Sequence, residues 1–320
     1  ERRAKEAEAA ALAVKGVKQI DHAGANWGRG QTWLAATNGF SAHRSSGSTS
    51  LAVVAIAEKD GNMERDYEFR TVRKAGSLPA PEFIGQTAAA RAVARMGPKK
   101  VASQNAPVIF ENRLASRLLG AFIGAITGPS IARGVSFLKG KVGEPVFADA
   151  INIVDEPQIV GGYGSRSFDG EGRRVSTTAI VKDGVLTQWL LNGPSAKQLG
   201  LDPNGFASTS FGDTPGVSTS NVNIEAGALS LDQLMAEAGT GLLVTDMFGP
   251  SLNPNTGDYS VGVSGFWIEN GQRAYPVSEV TVAGDLPSMF LRAVAGSDLD
   301  IRSASNSPSL LIPGMSIAGT

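Results

Sequence analysis

The chain has 320 residues, 29 Lys and Arg against 30 Asp and Glu for a net charge of −1, 42 % apolar residues and no cysteine. That length supports one large or two ordinary domains with a substantial core, and the even charge balance gives no broad positive field for nucleic acid. Absence of cysteine excludes disulfides, thiolate nucleophiles and cysteine-ligated metal and fits a reducing compartment, while no apolar run approaches the ~20 residues of a membrane-spanning helix.

Glu1 leads straight into an Ala- and Glu-rich helical stretch, residues 4–14, with no signal-peptide pattern, as expected of a chain cut on its N-terminal side. Residues 16–20, 31–37 and 51–58 are predicted strands, with turn dipeptides at Asn38-Gly39 and Asp60-Gly61. The Ser/Gly cluster at 45–50 reads as a loop. Residues 63–70 continue as a strand with interspersed charges, and Pro79-Ala80-Pro81 ends it. An amphipathic helix over 82–96 follows, with Phe83, Ala88, Ala92 and Met96 along one side, and Gly97-Pro98 stops it.

Beyond this point the pattern changes. Residues 107–110 form an apolar strand, Asn112 is placed to cap the next helix, and 114–131, interrupted by Arg117 and Pro129, reads as a buried helix followed by a turn. Short strands are then expected at 150–154, 175–182, 185–191, 241–246, 261–269 and 277–283, with hairpin turns at Asp183-Gly184 and Asn270-Gly271. Helices are expected at 229–237 and 287–294. The fold class is α+β without βαβ alternation. Residues 1–102 read as the remainder of a truncated N-terminal α+β domain, and residues 103–320 as a mainly antiparallel, β-rich C-terminal domain with a few helices.

Chemical motifs are sparse. His22 and His43, 21 residues apart and without further ligands at fixed spacing, read as polar strand or loop residues. No histidine follows His43, so a Ser-His-Asp triad built in the C-terminal two-thirds alone is excluded, while a serine–lysine pair stays open. The run from Gly134 to Lys141 departs from a phosphate loop in spacing and in Val142, which stands where a magnesium-holding hydroxyl belongs. Gly161-Gly162-Tyr163-Gly164 reads as a tight turn. Asp155-Glu156, Asp169 and Glu171 sit near Arg166, Arg173 and Arg174, which favours structural ion pairs over acid/base work. Trp189, Phe211, Phe248, Trp267 and Phe290 are either core or the lining of a peptide cleft.

Several ordered motifs carry a resemblance. They are Ser136-Phe137-Leu138-Lys139 to Val142-Gly143, Gly164-Ser165-Arg166 to Gly172, and Trp189-Leu190-Leu191 to Lys197-Gln198-Leu199-Gly200. Thr256-Gly257-Asp258-Tyr259-Ser260, Gly265-Phe266-Trp267-Ile268-Glu269-Asn270-Gly271 and Tyr275-Pro276-Val277 to Val282-Ala283-Gly284 follow. Together they resemble the TldD/PmbA family, once labelled modulators of DNA gyrase, and more closely its PmbA (TldE) branch, over nearly the whole chain. In that family the TldD branch carries a His-Glu-x-x-x-His helix and a C-terminal cysteine as a further metal ligand.

Here Leu118-Leu119-Gly120-Ala121-Phe122-Ile123-Gly124-Ala125 occupies the motif, with Gly120 and Ala125 at the histidine positions and Ala121 at the glutamate. None of the three offers a lone pair or a carboxylate, and residues 295–312 hold no cysteine. The resemblance therefore implies no catalytic residue, metal ligand or cofactor in this chain. It implies instead a metal-free subunit of a cytoplasmic metallopeptidase that processes or degrades small or unfolded peptides. A TldD-like partner would hold the zinc. Self-association is left open, and neither nucleic acid nor membrane is expected as a partner. Ser210, Phe211, Asp258, Tyr259 and Ser260 are the candidate substrate or partner contacts. Val261 stands where the family leads one to expect arginine, which would weaken a surface or partner contact. Two other readings remain: a self-sufficient peptidase using a non-metal nucleophile, and a regulatory binding protein without proteolysis.

Overall fold

Alternation of apolar residues along one strand organises the first of two units, Glu1–Lys99. The computed structural model describes residues 1–37, 39–210 and 212–319. In this unit α1 (Arg2–Leu12), β1 (Val17–Ala35), β2 (Ser41–Lys59), β3 (Asn62–Val72), a 3-10 turn (Ala75–Ser77) and α2 (Pro81–Ala94) follow in order, and the strands form an antiparallel sheet β1-β2-β3. Leu51, Val53, Ala55 and Ala57 of β2 are fully buried at every second position, as a one-sided sheet requires. Against them lie Ile84, Ala88, Ala89 and Ala92 of α2 and Ala7 and Ala11 of α1. A Cβ on Gly85 would stand 2.0 Å from the Ala7 carbonyl oxygen, so the two helices touch backbone to backbone there. Glu68, buried in β3, is held by Arg91 and by Arg70 at 2.8 Å.

The second unit, Lys100–Thr320, opens with β4 (Gln104–Phe110), α3 (Asn112–Ala125) and α4 (Gly128–Arg133). Short strands follow: β5 (Ile153–Asp155), β6 (Thr178–Lys182) and β7 (Val185–Leu186), then α5 (Gly193–Leu199), β8 (Ala207–Ser208), β9 (Gly216–Val217), β10 (Val222–Ile224) and α6 (Leu231–Ala238). Three long strands, β11 (Gly241–Leu252), β12 (Asp258–Glu269) and β13 (Gln272–Asp285), lead to α7 (Leu286–Leu291), β14 (Val294–Ala295), β15 (Ser305–Asn306) and β16 (Leu310–Ala318). The main sheet runs β13-β12-β11-β4-β16-β14, and a further pairing of β13 with β16 closes five of these strands into a ring. All its pairs are antiparallel except β11 with β4. A second sheet, β15-β10-β5-β6-β7, and the pair β8-β9 complete the unit. No helix among the described residues is long and apolar enough to cross a membrane.

The α+β class is as expected, and the structure revises several elements. The predicted strands 16–20 and 31–37 are one strand, β1, and the Ser/Gly cluster at 45–50 is not a loop but part of β2, paired residue by residue with β1. Ladder hydrogen bonds hold it without an apolar pattern. Phe83 is 48 % exposed, because the buried face of α2 is set by Pro81, Ile84, Ala88 and Ala92. The strand expected at 185–191 stops at Leu186, whereas β11, β12 and β13 extend past their predicted limits. Asp60, Asp183 and Asn270 adopt positive φ (51°, 49° and 51°) before their glycines, as two-residue hairpins demand. Asn38 lies outside the described residues.

Candidate functional site

Helix α3 holds the positions that the resemblance singles out. Leu114, Ala115, Leu118, Leu119, Phe122 and Ala125 recur at three- and four-residue intervals and are buried. Arg117, Gly120 and Gly124 are exposed on the opposite side, with Ala121 half-buried. Phe122 meets Phe147 edge-on at 4.9 Å and Phe290 at 6.1 Å, and those two rings stack at 4.6 Å. Gly120 in the helix interior costs roughly 1 kcal/mol relative to alanine, and Gly124 stands one residue from the helix end. The apolar face, not intrinsic propensity, keeps this segment helical. Asn112 does not cap it. Glu111 is the N-cap and makes no side-chain cap bond, while the Asn112 amide donates to the Asp298 carbonyl at 2.8 Å.

Arg117 links this helix to the long strands: its Nη1 donates to the Met247 carbonyl at 2.9 Å. Its charge also acts on Tyr259, whose phenol burial pushes up to about 12 against the lowering pull of Arg117. Tyr259 is therefore neutral and packed in the core. Its neighbours are more accessible. Asp258 is exposed and accepts the Thr256 hydroxyl at 2.6 Å, and Ser260 is half-buried between Ser251 and Ala283. Ser210 belongs to a different place, the loop between β8 and β9, where its hydroxyl donates to Asp213 at 2.5 Å. Phe211 lies outside the described residues. Val261 is buried and paired with Val282. An arginine there would bring a charge into the core, so Val261 is a packing residue and no surface contact depends on it.

The residues that the resemblance places at the zinc-motif positions do not fit a metal. Gly120 and Ala121 present no donor, and Ala125 is buried, its carbonyl accepting the Ser136 hydroxyl at 2.6 Å. A Cβ placed on Gly120 or Gly124 would meet nothing within 4 Å, so this face of α3 is open. Among the described residues no three His, Cys, Asp or Glu side chains converge as a metal site. His22 and His43 lie opposite Val54 and Trp33 respectively, eleven β1 positions apart. That separation is about 36 Å along the strand, too far to share an ion.

The carboxylates near the arginines are structural. Asp169 accepts the backbone N–H groups of Glu171, Arg173 and Ala207 at 2.9, 2.8 and 3.2 Å, and Glu171 accepts that of Gly193 at 2.9 Å and Arg173 Nε at 3.2 Å. These bonds tie loops together and leave little lone-pair capacity for proton transfer. Asp155 is also buried. It accepts the Ser220 N–H at 2.7 Å, and burial pushes its carboxyl up to about 6. Gly164 is a packing turn, since a Cβ there would sit 2.0 Å from the Ser220 carbonyl oxygen. Of the aromatic set, Trp267 and Phe290 are core, Trp189 packs against it, and Phe248 is exposed. In the sequence Arg117 counts only as an interruption of the apolar stretch 114–131. Arg117, the second arginine of α3 after Arg113 and the last charge before the apolar run 118–125, is the available signal for its bridging role.

The sequence matches the PmbA/TldA metallopeptidase central domain over residues 1–96 and the PmbA/TldA metallopeptidase C-terminal domain over residues 103–319. It is 42 % identical over 271 residues to Metalloprotease PmbA of Escherichia coli O157:H7, covering 84 % of this chain and 58 % of that protein. It is 37 % identical over 273 residues to a Metalloprotease PmbA homolog of Haemophilus influenzae, with coverage of 84 % and 58 %. The chain thus spans under two-thirds of the length of these relatives. The crystal structure of a proposed modulator of DNA gyrase from Bacteroides thetaiotaomicron superposes with a TM-score of 0.90 at 30 % identity, covering 100 % of this chain and 71 % of that one. TldE from Thermococcus kodakarensis shares the fold, with a TM-score of 0.88 at 19 % identity over 98 % of this chain and 72 % of that one. With both domain types matched across nearly the whole chain, the chain belongs to the TldD/PmbA family.

Proposed function

We propose that this chain is a metal-free, PmbA/TldE-type subunit of a cytoplasmic peptide-cleaving assembly, in which a TldD-like partner supplies the zinc and the general base. One observation carries the reading: α3 is a well-packed helix whose exposed side bears Gly120 and Ala121 where the family's chemistry resides, with Ala125 buried at the third position. Loss of all the ligands together, with the helix itself intact, suits a chain that supports a chamber rather than one that cuts. Asp258 and Ser260, at the accessible start of β12, and Ser210 in its separate loop are the proposed contacts for peptide or partner.

Hydrolysis of an unstructured peptide by the full-length protein tests this, alone and mixed with a TldD-like chain from the same genome. The expected result is cleavage only in the mixture, abolished by a chelator. Chelator-resistant cleavage by this chain alone would overturn the reading and favour a serine nucleophile. Binding of the partner without any cleavage would favour a regulatory protein.

A further inference from the structure

In the first unit β3 pairs with β2 only from Thr49, opposite Val72, to Lys59, opposite Asn62. Residues 28–35 of β1 and 41–48 of β2 therefore form a two-stranded ribbon with no third strand among the described residues. Such ribbons bury little and are marginal by themselves. This one nonetheless carries Trp27 at its base, 76 % exposed, and Trp33 near its tip, 68 % exposed.

The register puts both rings on one face. Trp27 lies opposite Thr49, Arg29 opposite Gly47, Gln31 opposite Ser45 and Trp33 opposite His43. The small cross-strand residues leave Trp27 and Arg29 uncovered, while His43 stacks on Trp33 with ring centroids 6.3 Å apart. The two tryptophans stand six positions apart, about 20 Å along the strand. Between Asp21 and Glu58 the sequence has no carboxylate, only the cations Arg29 and Arg44. Among the described residues no strand pairs with the outer edge of β1, whereas the outer edge of β2 is met by Arg73, whose Nη1 donates to the Gly47 carbonyl at 3.3 Å.

We propose that the outer edge of β1 and its Trp27–Arg29–Gln31–Trp33 face form a docking strip for an acidic, unfolded peptide bound as an added strand. The free edge offers a row of backbone donors and acceptors for strand addition, and alternate side chains give the preference. The bound segment would set apolar side chains beside Trp27 and Trp33, six residues apart, with a carboxylate between them facing Arg29. A folded partner fits less well. Eight residue pairs cover a face of roughly 260 Å², well below the ~800 Å² per partner of a stable interface. Single-stranded nucleic acid would also stack on tryptophan, but two arginines fall short of the roughly 6–10 phosphate contacts that drive such binding.

The test is a titration of the full chain, followed by tryptophan fluorescence, with the acetylated heptapeptide Leu-Thr-Glu-Thr-Glu-Thr-Leu, which presents carboxylates in either strand direction. Binding is expected to weaken about tenfold in Trp27→Ala or Trp33→Ala. Arg29→Glu is expected to reverse the preference between this peptide and its lysine counterpart. N-methylation of alternate peptide residues should abolish binding in one register and spare it in the other. All three protein positions are exposed, and circular dichroism checks that the variants stay folded. Tighter binding of oligo-dT would overturn the proposal, as would concentration-dependent self-association lost in the tryptophan variants, or indifference to N-methylation in both registers. The readout is binding without hydrolysis, so it stands or fails separately from the proposed peptidase role.

Discussion

Asp155 shows how one buried carboxyl sets a pH response. Burial is the dominant influence on it and outweighs both the Ser220 hydrogen bonds and the attraction of Arg166, so its native pKa lies at about 6 against the ordinary 3.8 of an aspartate carboxyl. Between those values the folded state holds a proton that the unfolded chain has released. Stability therefore falls as pH rises through that window and is level above it. Asp155→Asn keeps an acceptor for the Ser220 N–H and removes the titration. The variant should show a flatter melting-temperature profile between about pH 4 and pH 6. At neutral pH it should gain up to roughly 3 kcal/mol, a net figure in which the Arg166 attraction is already included. Parallel profiles for the two proteins would show that Asp155 is not the titrating group.

Elements respond to glycine according to what surrounds them. In a helix interior, replacing glycine by alanine is worth about 1 kcal/mol in propensity. At Gly120 the new methyl group meets nothing within 4 Å, so Gly120→Ala should stabilise the protein by roughly 0.5–1 kcal/mol. At Gly85 the same methyl group would stand 2.0 Å from the Ala7 carbonyl oxygen and 3.0 Å from the Ala11 nitrogen. Backbone atoms cannot swing aside, so the overpacking cost of about 1–3 kcal/mol wins and Gly85→Ala should destabilise. Opposite signs in chemical denaturation are the expected outcome. Equal signs would mean that α1 and α2 separate freely.

Which elements are legible in the sequence follows from what holds each of them. Strands with alternating apolar residues, such as Leu51 to Ala57, and hairpins with positive-φ turns were legible because side chain and backbone demand the same conformation. The Ser/Gly half of β2 was not, since its order comes from pairing with β1 and leaves no apolar period. Nor was β16, where Pro313-Gly314 interrupts the pattern at a bulge between Ile312 and Met315. At the candidate site Gly120, Ala121 and Ala125 are singled out by the family resemblance alone, since neither their chemistry nor their spacing marks them. The bond from Arg117 to Met247 and the burial of Tyr259 were not legible, because both depend on β11 and β12 packing near a helix more than a hundred residues earlier.

Family membership and the residues that the resemblance places at the motif positions pull in different directions. A metalloprotease name belongs to the relatives; the donor set belongs to each chain separately. Purified protein is expected to retain less than about a tenth of an equivalent of zinc after exhaustive dialysis, since a site lacking its ligands has no folding-coupled binding energy to hold the ion. Elemental analysis checks this. Stoichiometric zinc would require ligands other than those at Gly120, Ala121 and Ala125.

The five-stranded ring has a consequence for how the chain is made. Its closing member, β16, pairs with β4 about two hundred residues earlier and with β13 on the other side. Contacts of that sequence separation form late and slowly. While residues 310–318 are still inside the ribosome, β4 and β13 each expose a naked edge ready to capture another nascent chain. The interval between synthesis of β13 and release of β16 is thus the period when this protein most needs a chaperone.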